Sequence, residues 1–204
     1  MKLLIQDETG LSIPKQAHEG EDAAYDVIAT TPPRIVGDFK EGFLGEKLYS
    51  RLVYIEYGTN LFISPEVEII QEPKSFCSDA SGAICDIIWR YREVNYHVKL
   101  FPRSSISKYN LSLANCVPII DGGYRNQILL RFKYYFQPED LTIIEEKSLS
   151  RIYGVVNQEL IYQQNNAICQ MEAHPNIPIE FERVKTLPPS SRKLTGFGDS
   201  DKKR

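Results

Sequence analysis

The sequence of 204 residues has few of the residues that bind transition metals or form disulfide frameworks. Its four cysteines form no close Cys-x-x-Cys pair, and its three histidines are scattered. This pattern argues against a zinc site. We expect the thiols to be reduced and mostly buried, although Cys77 and Cys85 are able to pair in an oxidising compartment. The other two cysteines are Cys116 and Cys169.

The sequence also has no excess of positive charge and no long apolar run. Its net charge is −3, with 42% hydrophobic residues, which argues against a nucleic-acid-binding protein and fits one globular domain. Residues 1–7 contain only three consecutive apolar side chains, so we read them as a strand rather than a signal peptide or membrane span. We therefore expect a cytoplasmic or nuclear protein that binds neither nucleic acid nor membrane.

Helical periodicity is scarce, whereas short runs of branched and aromatic residues recur between Gly, Pro, Asn and Asp. This spacing predicts an all-β protein, a sandwich or barrel rather than an α/β fold. The predicted strands cover residues 52–57, 67–70, 84–91, 96–100, 128–136 and 181–184.

Three stretches interrupt this pattern. Residues 31–45 and 71–82 read as surface loops, and residues 140–166 read as an insertion packed outside the barrel. Within that insertion, short helical turns are predicted at 141–147 and 158–164.

A Pro-Pro-Ser-Ser sequence at 188–191 predicts that the end of the chain is a separate element. We expect it to uncouple a mobile terminal arm from the barrel. The domain prediction is therefore a barrel over residues 1–187, with insertions near 31–82 and 140–166, and a flexible C-terminal arm over 188–204.

One turn places a carboxylate beside two glycines. Residues 117–120 and 128–132 predict a β-hairpin whose tip is Asp121-Gly122-Gly123. The glycines permit positive φ values and leave room for a ligand near the main chain. Asp121 is therefore a candidate general base, although Asp before Gly is also an ordinary turn former.

A second turn has the sequence Pro102-Arg103-Ser104-Ser105. Two hydroxyls beside a fixed guanidinium form a candidate phosphate clamp, and the alternative is a polar turn closed by its own serines. A weakly acidic protein needs local cations to bind a triphosphate, and the candidates are Arg103, Arg125 and Arg192.

Residues 102–108 and 113–125 resemble the second and third motifs of the trimeric dUTP pyrophosphatases (dUTPases), all-β enzymes that cleave dUTP to dUMP and pyrophosphate. The first motif is matched by Asp-Ala-Ala-Tyr-Asp-Val at 22–27 and the fourth by Ala-Ile-Cys-Gln-Met at 167–171. The fifth is matched by residues 192–200, so all five occur in the family's order.

The resemblance implies a distorted jelly-roll β-barrel and a homotrimer with shared active sites. By the same resemblance, Asp121 is the general base for the water that attacks the α-phosphorus. Tyr124 packs under the deoxyribose and excludes a 2′-hydroxyl, and Asp26 orients hydrated Mg²⁺ through water.

The remaining roles implied by the resemblance concern the phosphates and the arm. The phosphates are held by Arg103, Ser104, Ser105 and Gln170. In the arm, Phe197 stacks on the uracil, while Arg192 and Ser200 reach the terminal phosphate.

The chain departs from the family pattern at four places. Pro118 and Asn126 stand where glycine is usual, and residues 165–167 lack the usual Gly-x-Arg lead. Asp199 stands where a small hydroxyl residue is common. A weakened enzyme, or a non-catalytic protein that binds nucleotides or a protein partner, is therefore an alternative.

dCTP deaminase is the nearest relative of the same fold. It uses a glutamate on the strand after the hairpin, and this chain has Arg131 there. A guanidinium stays protonated and cannot act as that base. We therefore rank dCTP deaminase well below dUTPase as an interpretation of the sequence.

Overall fold

The structure is a computed structural model that describes residues 2–6, 10, 13–78, 84–146 and 149–189. It is an all-β protein, as predicted from the sequence. Three short 3₁₀ helices interrupt the strands, at Ser104–Lys108, Pro138–Asp140 and Gln158–Leu160. The strands are β1 (Leu3–Gln6), β2 (Tyr25–Ile28), β3 (Arg34–Glu41), β4 (Lys47–Gly58), β5 (Phe62–Pro65), β6 (Glu68–Ser78), β7 (Ile84–Val94), β8 (Tyr96–Pro102), β9 (Leu111–Leu113), β10 (Ile119–Ile120), β11 (Leu129–Tyr134), β12 (Leu141–Glu146), β13 (Leu149–Gly154) and β14 (Ala167–Pro175).

Two antiparallel sheets contain most of these strands. One has four strands in the order β10-β8-β14-β2. The other has the order β12-β13-β4-β11-β9, with β3 added along β4. Strands β1 and β5 form a separate pair, and β6 and β7 form a two-stranded ribbon.

The core lies where aromatic side chains of several elements meet. Strand β11 alternates exposed and buried residues, so Phe132 points inward. Its ring packs edge-on against Tyr57 and Tyr162, with centroids 5.5 Å and 5.6 Å away. The Tyr57 hydroxyl donates to the main-chain oxygen of Tyr162 at 3.0 Å, which satisfies a buried polar group.

Two of the predicted surface loops are strands. Within residues 31–45, β3 pairs with β4 along its length, through irregularities at Gly37 and Phe39. Within residues 71–82, β6 continues to Ser78 and pairs with β7, while residues 79–83 lie outside the described part. Gly, Pro and charged residues suggested loops, but in a ribbon or an edge strand such residues are tolerated because one face is solvated.

The segment 140–166 contains a hairpin that extends the larger sheet and a second half that reaches the core. Its first half is the β12–β13 hairpin, so the helical turn predicted at 141–147 is wrong. The turn predicted at 158–164 is present only as the 3₁₀ helix Gln158–Leu160. Its second half supplies core side chains, namely Val156, Ile161 and Tyr162.

Two smaller expectations differ from the structure. Residues 181–184 form no strand, and Phe181 is 89% exposed. Cys169 is buried, and burial raises the pKa of its thiol, whereas Cys116 is exposed. The side chains of Cys77 and Cys85 lie outside the described part. No helix within the described ranges is long and apolar enough to cross a membrane.

The ribbon is fastened to the sheet at its root. Tyr96, the first residue of β8, donates a hydrogen bond from its hydroxyl to the carboxylate of Glu68 at the start of β6. This contact holds the open end of the ribbon beside the strand that follows it.

Phe132→Ala is expected to lower the free energy of unfolding by about 3–5 kcal/mol, because it opens a cavity beneath two other rings. Urea titration followed by fluorescence measures the change. Phe43→Ala is the matched control, since Phe43 is fully exposed, and it is expected to change stability by less than about 0.5 kcal/mol. Equal losses in the two variants would contradict this description of the core.

Candidate functional site

Strand register brings three of the sequence motifs together. Strand β14 lies between β2 and β8, with Gln170 opposite Asp26 on one side and opposite Phe101 on the other. Arg103 follows directly after the end of β8. Residues that are far apart in sequence therefore become neighbours across three antiparallel strands.

Asp26, Arg103 and Gln170 line one cavity of about 310 Å³. The Nε of Arg103 lies 2.9 Å from Oδ1 of Asp26 in an ion pair, and both side chains are largely covered. The cavity thus combines a guanidinium, carboxylates and a side-chain amide. Its lining residues are Ala17, His18, Asp22, Ala23, Ala24, Asp26, Arg103, Gln170 and Glu172.

Asp22 organises the rim of this cavity. The main-chain N–H of His18 donates to its carboxylate at 2.8 Å, and this bond lowers the pKa of Asp22 below its ordinary value. The imidazole Nδ1 of His18 lies 3.5 Å from the same carboxylate. Asp22 is therefore ionised at neutral pH and adds negative charge beside Asp26.

The serines that follow Arg103 begin a 3₁₀ helix. Arg103 is the residue before the helix, which runs from Ser104 to Lys108. Ser104 is exposed, and its main-chain oxygen accepts a hydrogen bond from Ser107 Oγ at 2.9 Å. The hydroxyl oxygen of Ser105 is buried. The side chain that closes the turn is thus Ser107, which lies outside the tetrapeptide, while Ser104 is exposed to solvent.

The Asp121 turn connects the two sheets, and the hairpin predicted around it is wrong. Strand β10 pairs with β8, whereas β11 pairs with β4 and β9. The turn is closed by a hydrogen bond of 2.9 Å from the N–H of Tyr124 to the oxygen of Asp121. The Asp121 side chain is exposed at this connection.

Gly122 is needed for close packing, not for positive φ. Neither it nor Gly123 has a positive φ, contrary to the sequence expectation. A Cβ added at Gly122 would lie 2.6 Å from the main-chain oxygen of Tyr96, whereas one at Gly123 would meet nothing within 4 Å. The turn therefore rests directly on the root of the ribbon.

Arg125, one of the candidate cations, stabilises this turn. Its Nη1 donates to the main-chain oxygens of Gly122 and Tyr124 at 2.6 and 2.9 Å. Arg125 and Asp121 line a cavity of about 490 Å³. Because the guanidinium is folded back on the turn, its role in the described structure is to fix the loop.

Tyr124 lines a different cavity of about 530 Å³, and its hydroxyl donates to the oxygen of Gln127 at 3.0 Å. This cavity also contains polar residues to which the sequence interpretation gave no role in a dUTPase, among them Asn115 and Lys133. Only the folded structure shows that Asn115 and Lys133 line the same cavity as Tyr124. Its lining residues are Tyr54, Ala114, Asn115, Ile120, Tyr124, Ile128, Leu129, Arg131 and Lys133.

The predicted site is therefore divided within one chain. The cavity that holds Asp26, Arg103 and Gln170 shares no lining residue with those that hold Asp121 and Tyr124. Arg192, Phe197, Asp199 and Ser200 belong to residues 190–204, which lie outside the described part. Among the described residues, no group of three or more His, Cys, Asp and Glu side chains is placed to hold a metal ion.

The architecture is that of a jelly-roll-like antiparallel barrel. Comparison with known proteins shows which proteins share this fold. No protein-family model matches the chain. A curated relative, the deoxyuridine 5′-triphosphate nucleotidohydrolase of Finegoldia magna, is 29% identical over 104 residues. That alignment covers 50% of this chain and 59% of the relative, which is less than two thirds of the relative's length.

Solved structures of similar shape are phage dUTPases. A mutant dUTPase of Staphylococcus bacteriophage 80alpha with dUpNHpp matches with a TM-score of 0.55 and 18% identity, over 98% of each chain. A mutant dUTPase from phage phi11 of S. aureus, described as coordinating a structural Mg(II) ion, has a TM-score of 0.51 and 16% identity. It covers 91% of this chain and 98% of its own. The chain thus has the dUTPase fold, and the resemblance to the dUTPase family that its motifs indicated is confirmed.

Gly122→Ala is expected to destabilise the protein by about 1–3 kcal/mol, because the new methyl group overlaps a main-chain oxygen that cannot rotate away. Gly123→Ala is the matched control and is expected to be near neutral. Thermal unfolding of the two variants measures the difference. A neutral Gly122→Ala variant would show that the turn does not depend on its contact with Tyr96.

Proposed function

We propose that the protein is a Mg²⁺-dependent dUTP diphosphatase that hydrolyses dUTP to dUMP and pyrophosphate. The observation that carries the proposal is the register of β2, β14 and β8, which gathers Asp26, Gln170 and Arg103 in one cavity. The five motifs, the fold and the curated relative support the same reaction.

The phosphates bind at this cavity in the proposed mechanism. The guanidinium of Arg103 supplies charge-assisted hydrogen bonds to phosphate oxygens, and the amide of Gln170 supplies a neutral donor beside it. Ser104 is exposed next to Arg103 and adds a hydroxyl, with Ser105 behind it. The ion pair with Asp26, at 2.9 Å, orients the guanidinium of Arg103.

The donor set of the cavity fits Mg²⁺. Asp26 offers oxygen atoms, which are the ligand type that Mg²⁺ prefers, and because the ion usually keeps several waters it needs few protein carboxylates. Asp26 would hold the hydrated ion through water. When bound, Mg²⁺ neutralises charge on the triphosphate.

Asp121 takes the proton from the attacking water. Its carboxylate is exposed at the turn between the sheets and free to meet a water molecule at the α-phosphorus. The reaction breaks the bond between the α-phosphorus and the oxygen that bridges it to the β-phosphorus, and pyrophosphate leaves. Because water itself is the nucleophile, no covalent intermediate with the protein forms. Tyr124 packs under the deoxyribose, and this contact excludes ribonucleotides.

A homotrimer completes the site. Because Asp121 and Arg103 line separate cavities of one chain, a neighbouring copy must bring the general base to the phosphate cavity. The C-terminal residues Arg192, Phe197 and Ser200 then close over the nucleotide, with Phe197 on the uracil.

Asp121→Asn is expected to lower kcat for dUTP by about 10²- to 10⁴-fold while leaving the affinity for a non-hydrolysable dUTP analogue unchanged. Pyrophosphate release measures turnover and calorimetry measures binding. Asp38→Asn is the control, since Asp38 is a largely exposed partner of Arg51 on β3. Near-normal turnover of Asp121→Asn would remove Asp121 from this role.

The same assay compares dUTP, dCTP, dTTP and UTP with Mg²⁺ present. Pyrophosphate from dUTP alone is the expected result. Ammonia from dCTP would indicate a deaminase, and the absence of any product would indicate a nucleotide-binding protein without catalysis.

Mixing two inactive variants tests whether the site is shared. Asp121→Asn and Arg103→Met are each expected to be inactive, but a trimer assembled from equal amounts of both contains some sites with both native residues. Random assembly predicts about one quarter of the wild-type activity after unfolding and joint refolding. A mixture of each variant with itself is the control, and an inactive mixed sample would show that both residues act within one chain.

A further inference from the structure

The hydroxyl of Tyr162 is a buried polar group that the proposed reaction does not use. The side chain is only 1% exposed, and its hydroxyl oxygen has no hydrogen-bond partner among the described residues. A hydroxyl buried without a partner destabilises a protein, and most buried polar groups are therefore paired. A phenylalanine at this position would fill the same space without that cost, so the hydroxyl requires an explanation.

A second unpartnered hydroxyl lies in the same region. The hydroxyl oxygen of Ser105 is also buried without a hydrogen-bond partner in the described part of the chain. Tyr109, the residue after the 3₁₀ helix that contains Ser105, packs on Tyr162 with ring centroids 4.3 Å apart. The N–H of Asn110 donates to the main-chain oxygen of Leu160 at 3.0 Å, which holds the segment before Tyr162 against the end of this helix.

The Tyr162 phenol is protonated at neutral pH and is close to Ser105. Burial raises the pKa of Tyr162 above its ordinary value, and the neighbouring Ser105 hydroxyl and Arg103 charge offset only part of this effect. The phenol is therefore both a donor and an acceptor, as is the serine hydroxyl. Each of the two groups is able to supply the partner that the other lacks.

Both hydroxyls lie behind the turn that presents Arg103 and Ser104. Ser105 follows these two residues in the chain, and its oxygen is buried, whereas Ser104 is exposed. The ring of Tyr162 belongs to the core and packs against Phe132, with centroids 5.6 Å apart. A bond between the two hydroxyls therefore anchors the turn to a closely packed part of the protein.

We propose that Tyr162 is a positioning residue for the turn that presents Arg103 and Ser104, and that it acts through the hydroxyl of Ser105. This inference rests on the proposed function, in which that turn binds the phosphates. Ser105 then links the turn to the core and is not itself a phosphate ligand. Binding groups keep their geometry only with support from behind, and this support explains why a hydroxyl that weakens the core is present.

The test compares Tyr162→Phe with the control Tyr57→Phe in the full chain. Both variants remove a buried hydroxyl from the same aromatic cluster, but the hydroxyl of Tyr57 is paired with the main-chain oxygen of Tyr162 at 3.0 Å. Tyr162→Phe is expected to raise the melting temperature by about 2–4 °C, because it removes an unpaired group. It is also expected to raise KM for dUTP by about three- to tenfold, the range for one hydrogen bond, with a smaller change in kcat.

Tyr57→Phe is expected to show the opposite pattern. It loses a paired hydroxyl, so its melting temperature is expected to fall by about 2–4 °C. Its KM for dUTP is expected to stay within about twofold of the wild-type value, because Tyr57 does not support the turn. A purely structural role of Tyr162 would instead give both variants a lower melting temperature and an unchanged KM.

A double-mutant cycle tests whether Tyr162 acts through Ser105. Ser105→Ala, and the double variant that combines it with Tyr162→Phe, are expected to have the same KM as Tyr162→Phe within about twofold. Ser104→Ala is the comparison, because Ser104 is exposed and its effect is expected to multiply with that of Tyr162→Phe. Ser105→Ala also supplies a second variant if Tyr162→Phe does not fold.

An unchanged KM in Tyr162→Phe, with a wild-type protein that hydrolyses dUTP, would overturn this inference alone. Effects of Tyr162→Phe and Ser105→Ala that multiply in the double variant would overturn it as well, since the two residues would then act independently.

A wild-type protein that hydrolyses none of the four nucleotides would overturn the proposed function instead. Calorimetry with dUpNHpp then decides the present inference. Weaker binding by Tyr162→Phe than by Tyr57→Phe supports it, whereas equal affinities, or no binding by any of the proteins, would refute it.

Discussion

The cavity that holds Asp26, Arg103 and Gln170 depends on one constraint, the antiparallel register of β14 between β2 and β8. Strand pairing fixes which side chains share a face, and a shift of one residue would turn Gln170 away from the cavity. The ion pair between Arg103 and Asp26 then orients the guanidinium across the seam. In the core beneath, Tyr57 and Phe132 of the larger sheet pack against Tyr162, which lies in the segment before β14.

The proposed general base, Asp121, lies on the connection between the two sheets. The Asp121 turn leaves the four-stranded sheet at β10 and enters the larger sheet at β11, and Arg125 fixes its main chain. One chain therefore separates the cavity that holds Arg103 from the carboxylate of Asp121. Such a division makes assembly a condition of activity in the proposed trimer.

The sequence predicted the elements that carry local signals and failed where tertiary pairing decides. Apolar alternation identified β11, and ordered motifs led to Asp26, Arg103, Asp121 and Gln170. The strand β3 was missed because Pro, Gly and charge resemble loop composition, yet its register along β4 supplies the pairing energy. The ion pairs of Glu56 with Arg34 and Arg131 leave no local signal in the sequence. The three residues come from three strands that become neighbours only in the folded sheet.

Tyr96 makes one contact through its side chain and another through its main chain. Its hydroxyl binds Glu68 at the root of the ribbon, while its main-chain oxygen is the atom that leaves no room for a side chain at Gly122. The ribbon and the aspartate turn are therefore mechanically linked through a single residue. A displacement of the ribbon at Tyr96 would therefore move the turn as well. A change in the length of the ribbon at its far end would leave the contact between Tyr96 and the turn unchanged.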